Sequence, residues 1–495
     1  MVRRALATAL ALAALAGAGC GDDGADAPAK APPGSVSLRV MSFNIWYGGD
    51  SVDFGQIAAA VRAADADIVG VQEPEGDLRR LADAAGLSYV DESMHLISRY
   101  PLFSVERGGI RYAYAEVARD RVVAIENVHM PCCPYGPNLV KVGKPAAEVT
   151  KLERHTRLAA IEPYLDPLSK LADSGVPVFM TGDFNSPSHL DWTEAAAQAR
   201  GLPYALEWPA SAALADAGFR DSYRVVHPDP VATPGMTWTA GQPPPRMRPK
   251  ETSDRIDWVL SDGPAKAVSS DVVGEEGGPD VGVGVSPWGS DHRAVVSEFE
   301  VQPAAAPTLV SASPRVVERG DRVTLRYTLQ GGGSGRTVGI VPGPDPAAKP
   351  AQTIPIYDAS DHIAPMFGTA PLAAGRYEAV LLSGDGKPLA SSPFWLVEPG
   401  AQPEIRADRP AYSRGDPVTV RWRDGPGNKL DWIALFPAGE PSLYGYVGFR
   451  YAGGRPEGSV VFGRGGELRP GRYVPRLMLD DGYSVLAEGP AFEVR

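Results

Sequence analysis

The sequence has only three cysteines among its 495 residues: Cys20, Cys132 and Cys133. A scaffold held together by disulfides and a cysteine zinc cluster are both excluded, because each needs several separated cysteines. Cys132 and Cys133 are adjacent, so they cannot link distant parts of the fold. They form either a strained vicinal disulfide or a pair of free thiols.

A long hydrophobic run is also missing. The apolar stretch 5–16 is too short and too rich in alanine to span a bilayer. It follows two arginines and ends in small residues, which is typical of an export signal. Cys20 after these small residues resembles the lipobox cysteine of bacterial lipoproteins, although Gly17 replaces the usual leucine. We therefore predict a signal peptide (1–20), a disordered tether (21–36), and an exported protein that is either anchored to the cell membrane through lipidated Cys20 or released.

Positive charge is in deficit. The formal net charge is −12, and residues 34–302 carry 24 Lys and Arg against 37 Asp and Glu. A wide nucleic-acid-binding surface needs the opposite balance, whereas an acidic domain suits a bound cation.

Glycine (55) and proline (48) are abundant, which favours short strands and turns. Residues 37–302 alternate between apolar strand patterns and helical periodicity, as in an α/β layered domain. One helix is predicted over 151–173, with a possible break at Pro163 or Pro167.

Helical periodicity nearly vanishes after a Pro/Ala linker at 303–307, and an internal repeat begins. The segment 317–327 parallels 412–422, at an offset of 95 residues. Short alternating strands in such a unit predict two tandem immunoglobulin-like β-sandwiches, at 308–398 and 403–495. We interpret the aromatic residues Trp422, Trp432 and Tyr444 of the second repeat as core or interface residues rather than a platform for a sugar.

Acidic, amide and imidazole side chains follow or begin apolar strands at six places. They are Asn44 in MSFNIW, Glu73 in VQEPE, His129 in ENVHM, Asp183 and Asn185 in GDFNSPSH, Asp257 in SDRIDWVL, and Asp291 and His292 in SDHRAVV. Each has an ordinary explanation when taken alone: Asp183 suits a turn, and Asp257 can form a surface ion pair with Arg255. Strand ends converge at one edge of a sheet, so the set as a whole predicts a single site.

In this order, the six motifs resemble those of the endonuclease/exonuclease/phosphatase superfamily, which includes pancreatic-type deoxyribonuclease and neutral sphingomyelinases. The resemblance covers 37–302 and looks like a secreted bacterial branch. It implies a four-layer α/β/β/α sandwich, with two mixed sheets face to face and helices outside. It also implies a hydrolase of phosphate esters.

The resemblance implies a role for each residue. Glu73 is the principal metal ligand, Asn44 lies beside it and Asp291 completes the ligand set. Asp183 orients or deprotonates the attacking water, supported by Asn185.

The remaining residues act on the phosphoryl group: His129 and His292 flank it, and Asp257 holds His292. The cation is Mg²⁺, with Mn²⁺ or Ca²⁺ as alternatives, because a hard cation on carboxylate oxygens stabilises the charge of a reacting phosphate.

The substrate stays open between nucleic acid and a phospholipid or phosphosugar. Arg246, Arg248 and Lys250 can form a small basic patch, but the acidic balance opposes nucleic acid. The segment 130–138 beside His129 either shapes the leaving-group pocket or is a plain surface loop. An alternative of another class is a non-catalytic surface lipoprotein that binds through its β-sandwich repeats. No obligate protein partner is evident.

Overall fold

The computed structural model of the chain describes residues 34–239, 250–330, 335–357, 364–463 and 468–495. The predicted signal peptide with Cys20, most of the tether, and Arg246 and Arg248 of the basic patch lie outside these residues. In the described part, no helix combines the length and the apolarity that crossing a bilayer requires.

The strands up to residue 305 are, in chain order, β1 (Val36–Asn44), β2 (Ile68–Gln72), β3 (Tyr89–Asp91), β4 (Leu96–Ser98), β5 (Leu102–Arg107), β6 (Ile110–Ala118), β7 (Arg121–His129), β8 (Val178–Asp183), β9 (Arg220–Asp221), β10 (Asp257–Asp262), β11 (Ala265–Glu275), β12 (Val281–Val285), β13 (Ala294–Val301) and β14 (Ala304–Ala305).

The α-helices are α1 (Phe54–Ala63), α2 (Leu78–Ala85), α3 (Gly136–Lys141), α4 (Ala146–Glu153), α5 (Ala159–Asp173), α6 (Glu194–Arg200), α7 (Pro209–Asp216) and α8 (Ser222–Val226). A π-helical turn, Arg154–Leu158, joins α4 to α5.

The helix predicted over 151–173 is therefore not a single α-helix, and α5 continues through Pro163 and Pro167 without a break. Pro163 lies on the solvent side of α5, where water can satisfy a carbonyl group that has lost its N–H donor.

These strands form two mixed sheets. The first has the order β12-β11-β13-β1-β2-β4-β3, and the second has the order β5-β6-β7-β8-β10-β9 with β14 beside β7. The pairs β1–β2 and β7–β8 are parallel. Because strands of a parallel pair end on the same side, the carboxyl ends of each pair lie at one edge of their sheet.

Apolar side chains alternate along β1 and pack on both faces of the first sheet. Met41 and Phe43 face α1 and α2, whereas Leu38 and Val40 face the second sheet. The outer face of the second sheet packs against α5 and α7. The layers therefore run helix, sheet, sheet, helix.

The C-terminal part is built from strands. They are β15 (Leu309–Ser313), β16 (Val316–Glu318), β17 (Arg322–Thr328), β18 (Arg336–Pro342), β19 (Gln352–Ile356), β20 (Met366–Gly368), β21 (Gly375–Leu382), β22 (Pro388–Val397), β23 (Glu404–Ala407), β24 (Ala411–Tyr412), β25 (Val418–Arg423), β26 (Trp432–Pro437), β27 (Gly448–Tyr451), β28 (Gly458–Phe462), β29 (Gly471–Met478), β30 (Val485–Glu488) and β31 (Phe492–Val494).

The two repeats use their strands in the same way. In the first, β15-β17-β20 and β16-β22-β21-β18-β19 are two sheets over a shared apolar core. In the second, β23-β25-β28 and β24-β31-β29-β26-β27, with β30 beside β29, do the same. The parallel pairs β16–β22 and β24–β31 correspond. The immunoglobulin-like assignment and the domain boundaries stay predictions.

The aromatic residues of the second repeat differ from each other in burial. Trp422 and Trp432 are buried, as expected. Tyr444 lies in the loop between β26 and β27 and is 71% exposed, so of the two options, core or interface, the core is excluded for it. Its ring contacts Tyr483, with the ring centroids 4.4 Å apart.

Candidate active site

Three neighbouring strands of the second sheet bring three predicted residues side by side. His129 at the end of β7 is in register with Asp183 at the end of β8. Asp183 is also in register with Asp257 at the start of β10, which runs antiparallel to β8. Backbone pairing therefore fixes their order across the sheet edge.

The first sheet contributes the other predicted residues. Asn44 ends β1, and Glu73 follows β2 directly. Asp291 and His292 precede β13, which is antiparallel to β1. Ser290, which directly precedes Asp291, donates its hydroxyl to the Asn44 carbonyl oxygen at 2.8 Å and so links the two segments. The structure thus brings all the predicted residues together where the two sheet edges meet.

Glu73 is held by two donors. Asn44 Nδ2 lies 3.0 Å from Glu73 Oε1, and the backbone N–H of Tyr47 lies 3.1 Å from Oε2. Residue 73 has a φ of 54°, a left-handed conformation uncommon for glutamate. This backbone turn directs a partly exposed carboxylate into the site.

Asp291 is half-buried, and its buried Oδ1 finds no hydrogen-bond partner among the described residues. Burial and the negative charges of Glu73 and Asp183 raise the pKa of Asp291 to about 6, although the nearby His292 acts to lower it. A buried oxygen without a partner is costly unless a cation or water completes it. Together with Glu73 it offers carboxylate oxygens, which fit a hard divalent cation. Asn44 turns its Nδ2 toward Glu73 and Asp183, and its Oδ1 accepts from the Trp46 N–H at 3.1 Å.

Asp183 lies at the centre of the site and is almost fully buried. Its Oδ1 accepts from the backbone N–H of Asn185 at 2.8 Å, and its Oδ2 accepts from Asn44 Nδ2 at 3.1 Å. The same Oδ2 lies 3.6 Å from His129 Nε2 and 3.7 Å from His292 Nε2. One carboxylate oxygen therefore faces two imidazole rings.

Asn185 holds the loop that follows β8. It has a φ of 47°, a conformation that asparagine tolerates better than most residues. Its Nδ2 donates to the Met130 carbonyl oxygen at 3.0 Å. Asn185 therefore supports Asp183 through the backbone and ties this loop to the chain after His129.

His292 and Asp257 form a buried pair. His292 Nδ1 lies 3.0 Å from Asp257 Oδ2, as the resemblance implied. Burial disfavours the charged ring, but Asp257 and Asp183 outweigh it and raise the pKa of His292 well above its usual value. One ligand atom each from Asp183, Asp257 and His292 lies within 4.8 Å of the others. Since His292 Nδ1 is already paired with Asp257 Oδ2, we interpret this group as proton-handling.

Arg255 does not pair with Asp257 on the surface, so that interpretation is wrong. Arg255 is buried, and its Nη2 lies 2.6 Å from Asp221 Oδ2 and 2.7 Å from Asp191 Oδ2. Side chains of an extended segment alternate in direction, so residues 255 and 257 point to the same side of the chain. The ion pairs with Asp191 and Asp221 nevertheless hold Arg255 in a buried network separate from Asp257.

The sequence interpretation missed Asp481, which comes from the turn between β29 and β30. Its Oδ2 lies 3.1 Å from His129 Nδ1, although the alignment falls short of a hydrogen bond. Burial disfavours charge on His129, but Asp481, with Asp183 and Glu73, raises the pKa of His129 to about 9. In the sequence, an Asp-Asp-Gly turn between strands carries no signal of this role.

Asp481→Asn is expected to lower kcat by about 10–100-fold, the usual effect of losing the carboxylate partner of an active-site histidine. If His129 acts as the resemblance implies and donates to a phosphate oxygen when protonated, activity falls as pH rises through the pKa of His129. Without the charge of Asp481 this fall moves from near pH 9 toward roughly 6.5.

The measurement is the pH profile of kcat for the wild type and for Asp481→Asn. The control is Asp416→Asn, a half-buried residue of the same repeat that accepts from the Ser413 N–H, and it leaves the profile unchanged. If the alkaline limb keeps its position in Asp481→Asn, Asp481 does not act through His129.

Cys132 and Cys133 are free thiols at the surface, in the segment that follows His129. Residues Met130 to Cys133 line a cleft beside the site, and Tyr135 donates its hydroxyl to Asp254 Oδ2 at 2.9 Å. The segment is therefore part of the wall of this cleft.

Comparison with known proteins agrees with this geometry. The sequence model of the Endonuclease/Exonuclease/phosphatase family matches residues 41–292, half of the chain. A protein of Caenorhabditis elegans without assigned function is 27% identical over 262 residues, covering 46% of this chain and 80% of that protein.

Two solved structures are also similar. An endonuclease/exonuclease/phosphatase from Beutenbergia cavernae is 21% identical with a TM-score of 0.35, covering 73% of this chain and all of that one. D. rerio TDP2, complexed with a single-strand DNA product, is 16% identical with a TM-score of 0.34, covering 54% of this chain and 99% of that one.

Proposed function

The chain belongs to the endonuclease/exonuclease/phosphatase family, and from this premise we propose that it is a divalent-metal-dependent phosphoric ester hydrolase. Its substrate is an extracytoplasmic phosphodiester, from nucleic acid or from a phospholipid or phosphosugar. The observation that carries the proposal is Asp183 Oδ2, which faces His129 Nε2 at 3.6 Å and His292 Nε2 at 3.7 Å. A carboxylate between two proton donors suits attack by water on a phosphoryl group.

Asp183 orients the attacking water and accepts its proton. The water oxygen bonds to phosphorus, the bond from phosphorus to the leaving oxygen breaks, and that oxygen takes a proton. His292, kept protonated by Asp257, supplies this proton, while His129 donates a hydrogen bond to a phosphoryl oxygen. The products are a phosphomonoester and an alcohol.

Glu73, Asn44 and Asp291 are the residues that would hold the cation. Their oxygen donors, and the buried Oδ1 of Asp291, fit Mg²⁺, Mn²⁺ or Ca²⁺. When bound, a divalent cation stabilises negative charge on the reacting phosphate.

A hydrolysis screen tests the proposed function. The full chain is incubated with DNA, RNA, sphingomyelin, phosphatidylinositol and bis-p-nitrophenyl phosphate, with each of the three cations and with EDTA. We expect hydrolysis of at least one ester that EDTA abolishes. Folded protein that hydrolyses none of them with any cation would contradict the proposal, and would favour the non-catalytic binding alternative.

We also propose that Cys20 anchors the exported protein to the membrane. Cys20→Ser is then expected to move the protein from the membrane fraction to the soluble exported fraction, because the lipid supplies the anchor. The measurement is immunoblotting of the two fractions. An unchanged distribution would show that Cys20 is not the anchor.

A further inference from the structure

A cleft of about 720 Å³ opens beside His129, between the second sheet and the second C-terminal repeat. One wall is the segment from Val128 to Cys133 together with Tyr164 of α5. The other wall is aromatic and comes from β26, β27 and the turn after β29. The volume of the cleft lies in the range of sites that bind a whole organic group.

Buried polar contacts hold the second wall in place. Lys429 Nζ donates to Glu126 Oε1 at 2.7 Å and to the Asn127 carbonyl oxygen, and Glu126 is fully buried. His95 Nε2 lies 2.6 Å from Asp480 Oδ1. Burial makes these contacts costly to break, so the repeat is fixed against the catalytic domain.

The same turn packs closely on the loop after β2. A Cβ added at Gly482 would lie 2.5 Å from Glu75 Oε1, so a larger residue at this position would displace the Glu75 carboxylate. The cleft is therefore built by a close fit between two parts of one compact unit, Ser35–Arg495.

Asp481 joins the cleft to the reacting centre. Its Oδ2 faces His129 Nδ1 at 3.1 Å, and its Oδ1 accepts from the Tyr451 hydroxyl at 3.1 Å. Tyr451 lines the cleft. A substrate group bound in the cleft would thus lie next to a phosphate that contacts His129.

The chemistry of the walls selects an uncharged ring. Tyr446, Phe449 and Tyr483 line the cleft with aromatic rings, which favour flat or apolar surfaces. Lys429 is the only lysine or arginine among the lining residues, and Glu126 already pairs with it.

The surrounding charge is unfavourable for a polyanion. Asp480 and Asp481 lie in the turn after β29, and Glu75 lies against Gly482 of the same turn, so three carboxylate side chains belong to this neighbourhood. A nucleic-acid strand would have to bring several phosphates to this place. A substrate whose single phosphate is held at the metal site would not bring further phosphates to this place.

We propose that this cleft is a substrate subsite for an uncharged aromatic or sugar ring, esterified to the phosphate that His129 contacts. The proposal rests on the proposed function and deepens it: the second repeat is part of the active site, and the substrate is a small ester rather than a polymer.

The test uses three diesters with the same p-nitrophenol leaving group, in which the second substituent is methyl, phenyl or hexosyl. Tyr483→Ala and Phe449→Ala are each expected to lower the ratio of kcat/KM for the ring-bearing ester to that for the methyl ester by about tenfold. Whether phenyl or hexosyl shows the larger change identifies the source of the ring. Tyr483→Phe keeps the ring and restores most of the ratio.

Tyr357→Ala is the matched control, since Tyr357 is 87% exposed in the first repeat, and it leaves every ratio unchanged. Ratios that Tyr483→Ala and Phe449→Ala also leave unchanged would overturn the subsite. The subsite would also be overturned if an oligothymidylate competed better than phenylphosphonate and lost affinity in both variants, because the cleft would then take nucleic acid.

Calorimetry separates this proposal from the proposed function. Phenylphosphonate is not hydrolysed, and we expect it to bind the wild type about tenfold more tightly than methylphosphonate, a preference that Tyr483→Ala removes. If the esters are not hydrolysed but this preference holds, the enzyme assignment fails and the subsite stands. If the esters are hydrolysed but the preference is absent, the enzyme assignment stands and the subsite fails.

Discussion

Asp183→Asn lowers kcat by about 10²–10⁴-fold while the chain stays folded, if Asp183 is the base that the site requires. The asparagine Oδ1 can still accept from the N–H of Asn185, which now lies 2.8 Å from Asp183 Oδ1. It cannot take a proton from water. The loss therefore falls on turnover, and KM changes little.

The measurement is steady-state hydrolysis of bis-p-nitrophenyl phosphate, with a thermal melting curve for each variant. The matched control is Asp262→Asn, at the opposite end of β10 and in register with Val178, which keeps normal turnover. As a simple turn residue, Asp183 would tolerate asparagine almost silently, because asparagine is equally good in turns. An Asp183→Asn enzyme that retains more than about a tenth of normal kcat would show that another group activates the water.

Glu73→Gln is expected to lower kcat/KM by about 10³-fold or more, since metal-ion catalysis contributes several kcal/mol to the transition state. The amide preserves the shape of the side chain but not its negative charge. It also turns a donor toward either Asn44 Nδ2 or the Tyr47 N–H, which both donate to Glu73. Cation affinity should therefore fall together with activity.

Calorimetric titration with Mg²⁺ and Mn²⁺ measures that affinity directly. Glu148→Gln is the control, because Glu148 is an exposed glutamate of α4 whose Oε1 lies 3.0 Å from Lys144 Nζ. Cation affinity that is equal in wild type and Glu73→Gln would remove Glu73 from the ligand set.

The sequence predicted the catalytic half of the fold well because its signals are local. Apolar runs such as 178–183 form strands, and the polar residue that ends each run lies at a sheet edge. Register then brings Asp183 beside His129 and Asp257, which follows from parallel and antiparallel pairing and needs no distant information.

Contacts between distant modules could not be predicted in this way. Asp481 reaches His129 only because the second repeat docks on the catalytic domain, and docking depends on the shapes of both surfaces. The burial of Arg255 against Asp191 and Asp221 likewise depends on where three separate segments of the chain meet. Local pattern is the same for a buried ionic network and for a surface ion pair.

The most direct test of the central claim is to remove and restore the cation. The full chain is treated with EDTA, dialysed and assayed on bis-p-nitrophenyl phosphate while Mg²⁺ is added back, with Glu73→Gln in parallel. We expect no hydrolysis without cation, saturable recovery in the wild type, and weak or absent recovery in Glu73→Gln. Full activity of the cation-free chain would contradict the account, because the oxygen ligands of Glu73, Asn44 and Asp291 would then have no role in the reaction.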